Sequence, residues 1–593
     1  MIVGVKSIFP GLNTVLKGDA KTSRYYVQGG GEIRLAASDF VARGGEGSIY
    51  VKGSTAYKIY NDPARAIPHE KIRELSALSL PNIVRPLAAL LDAKNRPAGY
   101  SMRAVGRSYA LCQLFPKAFR RRNNLGPESA LRLVRELQEG VSHVHARGIL
   151  IVDLNEMNFL VSGDFSEIYF IDVDSYQTPS YPATVLMESV RDRHARTFTT
   201  GSDWFSFAVV SFQTFVGIHP YKGTYPPLHN LPDQETKLDA RMRANVSVLR
   251  PGVSVPASCL PFSVIPPAYL DWYRAVFEEG KRVPPPDSAH AALTTASPAA
   301  PSAAGSSHFE VVELKEFDAE IVYHDGLVTV TRKSIYFDGE RFAKPAADVL
   351  VAVTPRLRRP VAAYMDGAVP RFRDLAGSRD LALGIGCEEI TLCGGRLYVK
   401  QLESVFAVEF VELRDSVLLG VKPVANVMIK STRMFEGLAI QNLLGAYYAS
   451  VFPAPGACRQ VRLPELDRYR IIDARLYRNV LVAVGARGGR YDKLIFRFDD
   501  DFGAYDSRVL PGVPSTDINF TVLEGGVVLH AVDEGTLEVF SRHRNSPDVK
   551  TFQDPSVGGD ARLSHSGRQA LIARGSTLYK FTMRRQTASP DAR

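Results

Sequence analysis

A glycine-rich turn followed by a lysine inside an apolar strand is the first stretch whose residue types could do chemistry. Residues 44 to 60 read GGEGSIYVKGSTAYKIY, with Gly44, Gly45 and Gly47 in the turn and Lys58 inside the second strand-like run. Glycines let a backbone approach a phosphate group without a Cβ clash, and a lysine neutralises phosphate charge. An ordinary hairpin whose lysine extends outward fits the same residues. This stretch alone leaves both interpretations open.

Three polar residues further along the chain have the chemistry of a phosphate-transfer site. Asn158 follows Asp153 by five residues, and Asp172 comes fourteen residues later, at the end of an apolar strand-like run. Carboxylate and amide oxygens suit Mg²⁺, and a further carboxylate can take the proton of an attacking hydroxyl. Each residue by itself could equally form a turn. Their combination with Lys58 favours the phosphate-transfer interpretation.

Four sequence motifs, in this order, resemble those of protein kinases. Residues 42–50 resemble the glycine-rich loop, with Ala42 in place of its first glycine, and residues 56–58 resemble the A-x-K strand. HARGILIVDLNEMNFLV is similar to the catalytic loop, and YFIDVDSYQ stands where D-F-G belongs. SDWFSFAVVSFQTFVGIHPYKG is similar to the long buried helix of that superfamily. The resemblance covers about residues 33–285, and its DVDSYQ form resembles a divergent bacterial or phage kinase-like group.

The resemblance implies an ATP- and Mg²⁺-dependent Ser/Thr protein kinase that transfers a phosphate to a protein hydroxyl. Lys58 would bind the α- and β-phosphates of ATP, beneath the glycines of residues 44–47. Asp172 and Asn158 would hold Mg²⁺, and Asp153 would orient the acceptor hydroxyl or take its proton. These expectations make ATP and a protein substrate the expected partners.

Supporting roles follow from the same resemblance. A helix glutamate would hold Lys58 by an ion pair, and HEKIREL offers Glu70 and Glu74 one helical turn apart. The spacing to the next strand favours Glu70. Asp203 would accept backbone N–H bonds from the loop that carries Asp153, and Arg282 resembles the arginine that closes the second lobe.

Departures from the kinase pattern limit what the resemblance implies. Val152 replaces the arginine of H-R-D, Asn155 replaces the catalytic-loop lysine, and Asp174 replaces the glycine of D-F-G. The sequence therefore predicts no activation through a loop phosphate read by that arginine. It leaves two alternatives open, namely a weak or inactive pseudokinase acting as a nucleotide-binding scaffold and a kinase-fold enzyme that transfers a nucleotidyl group.

The elements that must position these residues form a multidomain chain. Residues 1–32 are predicted to extend the small lobe with strands, and residues 33–285 form an α+β bilobal kinase-like domain whose small lobe ends at about residue 105. Helices are expected over about residues 67–78, over 126–148 and from Ser202 or Asp203 as the N-cap of the long buried helix. Ala, Ser and Pro dominate residues 286–307, which predicts a linker.

Nearly everything after the linker has the pattern of strands. Strand–turn–strand runs about 40 to 50 residues apart predict a β-propeller of roughly six blades over residues 308–593. A β-sandwich or a pair of smaller β domains remains an alternative. We expect this domain to recruit a protein partner or the substrate; a sugar- or nucleic-acid-binding β domain is the rival hypothesis.

Composition bounds the class of protein. The chain has 593 residues, 45% hydrophobic content and five scattered cysteines, values typical of globular domains in a reducing compartment. No run has the length and apolarity of a membrane span or the pattern of a signal peptide. We therefore expect a cytoplasmic protein with no membrane partner, and nucleic acid is not an expected partner. The densest basic cluster, KAFRRR from Lys117 to Arg122, is predicted to be a solvated surface rather than a phosphate or acidic-partner contact.

Overall fold

The computed structural model describes residues 22–183, 187–228, 230–231, 234–256, 258–287, 308–513, 515–533, 535–558 and 560–584. Most of the predicted linker and the first part of the predicted N-terminal extension lie outside these residues. None of the described helices has the length and apolar character needed to cross a membrane. The chain is rich in strands, and its many small antiparallel sheets lie in the C-terminal half.

A seven-stranded sheet with one helix on it forms the region of residues 22–103, here called the small sheet region. The spatial order of its strands is β2-β1-β6-β7-β5-β4-β3. The bounds are β1 Ser23–Val27, β2 Glu32–Leu35, β3 Phe40–Arg43, β4 Gly47–Lys52, β5 Thr55–Tyr60, α1 His69–Leu75, β6 Ala88–Leu91 and β7 Pro97–Arg103. The predicted N-terminal β extension, residues 1–32, contains β1 and only the first residue of β2, and α1 is shorter than the predicted helix.

Residues 108–287, the helical region, surround a long buried helix. The bounds are β8 Ser108–Ala110, α2 Lys117–Arg122, α3 Pro127–His145, β9 Phe159–Ser162, β10 Ile168–Phe170, α4 Thr200–Val216, α5 Gln234–Arg243 and α6 Pro267–Phe277. The predicted helix of residues 126–148 is confirmed as α3, which starts at a proline, as first-turn prolines favour. Almost every residue of α4 is buried, so its apolar composition all round is explained by packing on every side.

The predicted N-cap of α4 is wrong. Thr199 is the N-cap, and its side chain accepts a hydrogen bond from the backbone N–H of Ser202. Asp203 lies inside the first turn, where its carboxylate is directed to another loop. The physical reason is that a carboxylate bonded to a distant loop cannot also cap its own helix.

Residues 308–584, here called the C-terminal β region, contain seven four-stranded antiparallel sheets, one more than the roughly six predicted. Six of the sheets are meanders of consecutive strands, while β11 completes the seventh beside β38. The bounds are β11 Phe309–Glu316; β12 Ile321–His324, β13 Val328–Thr331, β14 Ser334–Phe337 and β15 Glu340–Ala343; β16 Leu350–Val353, β17 Pro360–Asp366, β18 Val369–Asp374 and β19 Arg379–Leu381; β20 Glu389–Cys393, β21 Arg396–Gln401, β22 Ser404–Glu412 and β23 Val417–Asn426; β24 Thr432–Phe435, β25 Leu438–Leu443, β26 Ala446–Val451 and β27 Arg459–Arg462; β28 Arg470–Tyr477, β29 Val480–Arg487, β30 Arg490–Phe498 and β31 Tyr505–Leu510; β32 Asn519–Val522, β33 Val527–Asp533, β34 Thr536–Ser541 and β35 Val549–Gln553; β36 Arg562–Ser566, β37 Gln569–Arg574 and β38 Thr577–Met583.

The helical region and the C-terminal β region share one hydrophobic core. Buried residues of α3 and α4 belong to the same cluster as Val480, Val482, Ile495 and Phe520 of the β strands. Burying apolar surface between two regions is the main favourable term in their association. The two regions are therefore packed together as one body.

The basic cluster of α2 lies where the helical region packs on the C-terminal β region, a contact here called the joint. The prediction of a solvated surface for this cluster is therefore wrong. Arg120 is buried and donates to the carbonyls of Leu114 and Phe215 at 2.6 and 2.9 Å. Arg121 pairs with Glu320 of the β region at 2.6 Å. An acidic contact does exist, but it is supplied by the same chain.

The close packing of α3 on β10, inside the helical region, can be tested by substitution. A Cβ added at Gly140 would collide with the ring of Phe170. We expect Gly140→Val to lower the free energy of unfolding by about 1–3 kcal/mol because the packed core has no room for the added atoms. Urea denaturation measures the change. Ser142→Val, on the exposed side of the same helix, is the control and should change stability by about 0.5 kcal/mol or less.

Candidate functional site

A buried ion pair joins β5 to the segment after β10. Lys58 is 4% exposed, and its Nζ lies 2.8 Å from Oδ2 of Asp174. The hydroxyls of Tyr60 and Tyr100 also donate to this carboxylate, each at 2.7 Å. Burial lowers the pKa of Lys58, but the carboxylates of Asp174 and Asp172 outweigh it and raise the pKa well above its usual value. Lys58 is therefore held as an ammonium.

Asp172 lies beside the same lysine but faces outward. Its Oδ1 is 3.3 Å from Lys58 Nζ, and its side chain is 48% exposed. The backbone has φ 56°, in the left-handed region that a non-glycine residue adopts at some cost. This conformation places the carboxylate of Asp172 at the surface while Asp174 turns inward. A carboxylate next to a buried cation and open to solvent is suited to binding a ligand.

The β9–β10 hairpin brings Asn158 to the same end as Asp172. Phe159 pairs with Phe170 in the ladder, and the N–H of Ile171 donates to the carbonyl of Asn158 at 3.0 Å. The Asn158 amide in turn donates to Oδ2 of Asp153 at 3.2 Å. The predicted residues Lys58, Asp153, Asn158 and Asp172 are thus brought into one site by their contacts.

The carboxylate of Asp153 is buried and holds two donors. Besides Asn158, the backbone N–H of Met187 donates to its Oδ1 at 2.7 Å. Burial raises the pKa of Asp153, and these donors oppose the shift without cancelling it. A carboxylate with a raised pKa is a better proton acceptor than an ordinary aspartate.

Asp203 fixes the loop that carries Asp153, as predicted. Its carboxylate accepts the backbone N–H groups of Ile151 at 2.8 Å and Val152 at 2.9 Å. His145 lies 3.0 Å from the same carboxylate. Val152 has φ 63°, which is a strained conformation for a β-branched residue. The buried bonds from Asp203 therefore hold the loop in a shape that it would otherwise avoid.

The glycine-rich turn lies next to Lys58. The packing of β5 gives a second reason for a glycine at residue 47. The N–H of Gly44 donates to the carbonyl of Gly47 at 2.8 Å, and the Asn61 amide donates to the carbonyls of Gly44 and Gly45 at 3.1 Å. A Cβ at Gly47 would lie 2.6 Å from the carbonyl oxygen of Ile59. Close approach of β5 therefore requires a glycine at residue 47, whatever the turn binds.

The predicted ion pair between Lys58 and a helix glutamate is not formed in the described residues. Glu70 lies in the first turn of α1 and is exposed, and Glu74 accepts a hydrogen bond from the N–H of Ser180 at 3.3 Å. The inward face of α1 instead carries Lys71, with Ile72 and Leu75. The carboxylates near Lys58 are Asp174, Asp172 and Glu46. The prediction for Glu70 is wrong because that side of the helix faces solvent.

Sequence reasoning missed several residues that the tertiary structure brings in. Asp174, Tyr60 and Tyr100 complete the surroundings of Lys58, and Asp192 pairs with Arg282 at 2.6 Å. One signal was available: a second aspartate two residues after Asp172, where the kinase pattern has glycine. The two tyrosines gave no signal, since apolar strands commonly contain tyrosine.

The C-terminal β region contacts the loop between Asp153 and Asn158. Tyr491 donates to Oε1 of Glu156 at 2.9 Å, and Arg470 donates to the carbonyl of Met157 at 3.0 Å. The β29–β30 turn lies against Met187, since a Cβ at Gly489 would be 2.7 Å from its Cγ. The β region thus supports this loop in addition to Asp203.

Mg²⁺, which the kinase resemblance implies, fits the oxygen donors of this site. Asp172 offers a half-exposed carboxylate, and Asn158 has its side-chain carbonyl available because its amide nitrogen is the group that contacts Asp153. Magnesium is commonly bound by one or two protein oxygens together with phosphate and water. Within the described part of the chain, no cluster of three or more His, Cys, Asp or Glu residues could hold a metal by itself.

No protein-family model matches the chain, and no curated protein matches it.

The buried Glu156 provides a pH-dependent test of the joint. Burial raises the pKa of its carboxyl, and Oε2 has no hydrogen-bond partner. A raised pKa in the folded state means that this group's contribution to stability is fully present below the unfolded glutamate pKa and is lost as the pH rises through the folded value. The unsubstituted chain therefore loses stability as the pH rises from acidic to neutral, whereas a chain with Gln at this residue does not. We expect the free energy of unfolding of Glu156→Gln, relative to that of the unsubstituted chain, to be higher at neutral pH than at acidic pH. Urea denaturation at about pH 4.5 and about pH 7.5 measures the difference.

Glu139→Gln, an exposed change on α3, is the control for this comparison. It removes one carboxylate without touching the joint. An equal pH response from the Glu139 and Glu156 variants would contradict the assignment of the effect to the buried carboxyl.

Proposed function

We propose that the chain is an ATP- and Mg²⁺-dependent protein kinase that transfers the γ-phosphate of ATP to a protein hydroxyl. The observation that carries the proposal is the convergence of Lys58 and Asp172, 3.3 Å apart, with the hydrogen-bonded pair of Asn158 and Asp153. These residues are far apart in the sequence and come from a strand, a loop and a hairpin. Their types match the requirements of phosphoryl transfer, which are charge neutralisation and alignment.

Each residue has a defined task in this proposal. Lys58 binds the phosphates as a fixed cation, while Gly44, Gly45 and Gly47 form the turn over them. Asp172 and Asn158 hold Mg²⁺, which when bound neutralises charge on the phosphates. Asp153 orients the acceptor hydroxyl and takes its proton, and the hydroxyl shares Oδ1 with the Met187 N–H or displaces it.

The contact between Asp153 and Met187 favours a second candidate, a nucleotide-binding scaffold without transfer. The Met187 N–H donates to Oδ1 of Asp153 at 2.7 Å, so an acceptor hydroxyl has to share this oxygen with the N–H or displace it. A chain in which the Met187 segment keeps the hydroxyl away from Asp153 binds nucleotide and transfers nothing.

We propose further that the C-terminal β region is a β-propeller that recruits a partner or substrate. The first strands of several successive sheets lie side by side, as with β20 and β24, β24 and β28, and β32 and β36. Strand β12 of the first sheet lies next to β37 of the last, which supports a closed ring. Pairing of β11 with β38 joins the start of the region to its end.

Incubation of the purified chain with labelled ATP and Mg²⁺ separates the candidate functions. We expect phosphate to be incorporated into a protein acceptor and to disappear in Asp153→Ala and Asp172→Ala. Thermal stabilisation by ATP without any transfer would support the scaffold instead. A product heavier by AMP rather than by phosphate would support nucleotidyl transfer.

A matched pair of carboxylate variants tests the partner of Lys58. We expect Asp174→Asn to lower kcat/KM for ATP by roughly 100-fold or more because Lys58 loses its nearest carboxylate. Glu70→Gln removes a carboxylate in the exposed first turn of α1, and its kcat/KM should stay within about threefold of the unsubstituted value. Circular dichroism checks that both variants are folded. A large loss in Glu70→Gln with none in Asp174→Asn would contradict the geometry.

A further inference from the structure

A second buried lysine faces the same site. Lys71 is 2% exposed and lies on the inward side of α1, next to Ile72. Helix α1 packs against residues 173–175, the segment that carries Asp174. Within the described residues, the Lys71 ammonium makes no hydrogen bond or ion pair, and its nitrogen keeps some contact with solvent. A poorly hydrated ammonium without a protein partner is costly, and a small opening to solvent lets an anion reach it.

The charged groups that surround Lys71 do not supply that anion. They are Asp174, Glu46, Glu74 and Lys58. Both oxygens of Asp174 already hold donors, namely Lys58, Tyr60 and Tyr100. Oε2 of Glu46 lies 3.5 Å from Lys58, and Oε2 of Glu74 accepts the N–H of Ser180. Burial lowers the pKa of Lys71, and the three carboxylates oppose this only in part.

We propose that Lys71 binds a phosphate oxygen of the nucleotide, beside Lys58, so that two lysines rather than one hold the phosphates. The inference rests on the proposed function. Two ammonium groups here face four carboxylates: Glu46 and Asp174 lie near both lysines, Asp172 near Lys58 and Glu74 near Lys71. These carboxylates and the two lysines together carry net negative charge, which repels an entering phosphate. The ammonium of Lys71 reduces that repulsion.

This arrangement makes the phosphates the part of the nucleotide that Lys71 recognises. A charge-assisted bond to a phosphate oxygen is strong when buried, whereas the nucleoside has no anionic group to offer. The contribution of Lys71 is therefore expected for ATP and ADP and absent for adenosine.

Isothermal titration of the full-length chain with ATP and Mg²⁺, with ADP and with adenosine tests the proposal through Lys71→Met. We expect affinity for ATP and ADP to fall by roughly tenfold or more, with adenosine affinity changed by about twofold or less. The thermal midpoint without nucleotide should be equal or higher, because methionine removes the unpaired buried charge. Arg73→Met, on the exposed side of α1, removes the same charge and should leave all three affinities unchanged.

The outcomes separate this proposal from the function on which it rests. ATP affinity that is unchanged in Lys71→Met overturns the role of Lys71 and leaves the proposed function standing. Absence of ATP binding by the unsubstituted chain overturns both. A lower thermal midpoint without nucleotide, together with equal losses for ATP and adenosine, assigns Lys71 to packing and also overturns the proposal.

A measurement on the unsubstituted chain covers the case in which Lys71→Met fails to fold. The probe is ATP acylated on its terminal phosphate: a lysine that has lost its proton to solvent attacks the acyl carbon, forms an amide and releases ATP. We expect peptide mass spectrometry to find the acyl group on Lys71, whose pKa is lowered by burial, and excess ATP to prevent it. Acylation of Lys58 without Lys71 contradicts the proposal.

Discussion

The ion pair of Lys58 and Asp174 is the interaction on which the site depends. Two charges removed from water are expensive, and they persist inside a protein only with good geometry and further hydrogen bonds. Tyr60 and Tyr100 supply those bonds, so the carboxylate has a donor for each oxygen. The pair ties the small sheet region to the segment after β10. The ion pair thereby fixes the position of Asp172, which is two residues before Asp174 and faces solvent rather than the interior.

Support for the loop of residues 151–158 comes from two sides. On one side, Asp203 binds the N–H groups of residues 151 and 152 and holds Val152 in a strained conformation. On the other side, the C-terminal β region donates hydrogen bonds to Glu156 and Met157. Because the β region also shares a hydrophobic core with α3 and α4, it is built into the site's framework. A β domain attached only by a linker would leave this loop with the support of Asp203 alone.

Where the sequence predictions failed, the reason was a contact that no local pattern encodes. The positions of α3 and α4 could be predicted because hydrophobic periodicity and terminal residues are local signals. Glu70 failed because a short helix with charges all round does not reveal which side faces inward. The basic cluster of α2 failed for a related reason, since its acidic partner Glu320 is about 200 residues away.

The sequence by itself determined the residue types of the site, their order and the strand-rich character of the C-terminal half. Spacing along the chain is enough for this, because strands, turns and helices form from neighbouring residues. Only the tertiary structure decided that Asp174 holds Lys58, that Lys71 replaces a glutamate on the inward face of α1, and that the β region supports the loop. Those outcomes depend on which distant groups the fold brings together, and for Lys58 the cost of leaving a buried charge unpaired selects its pairing with Asp174.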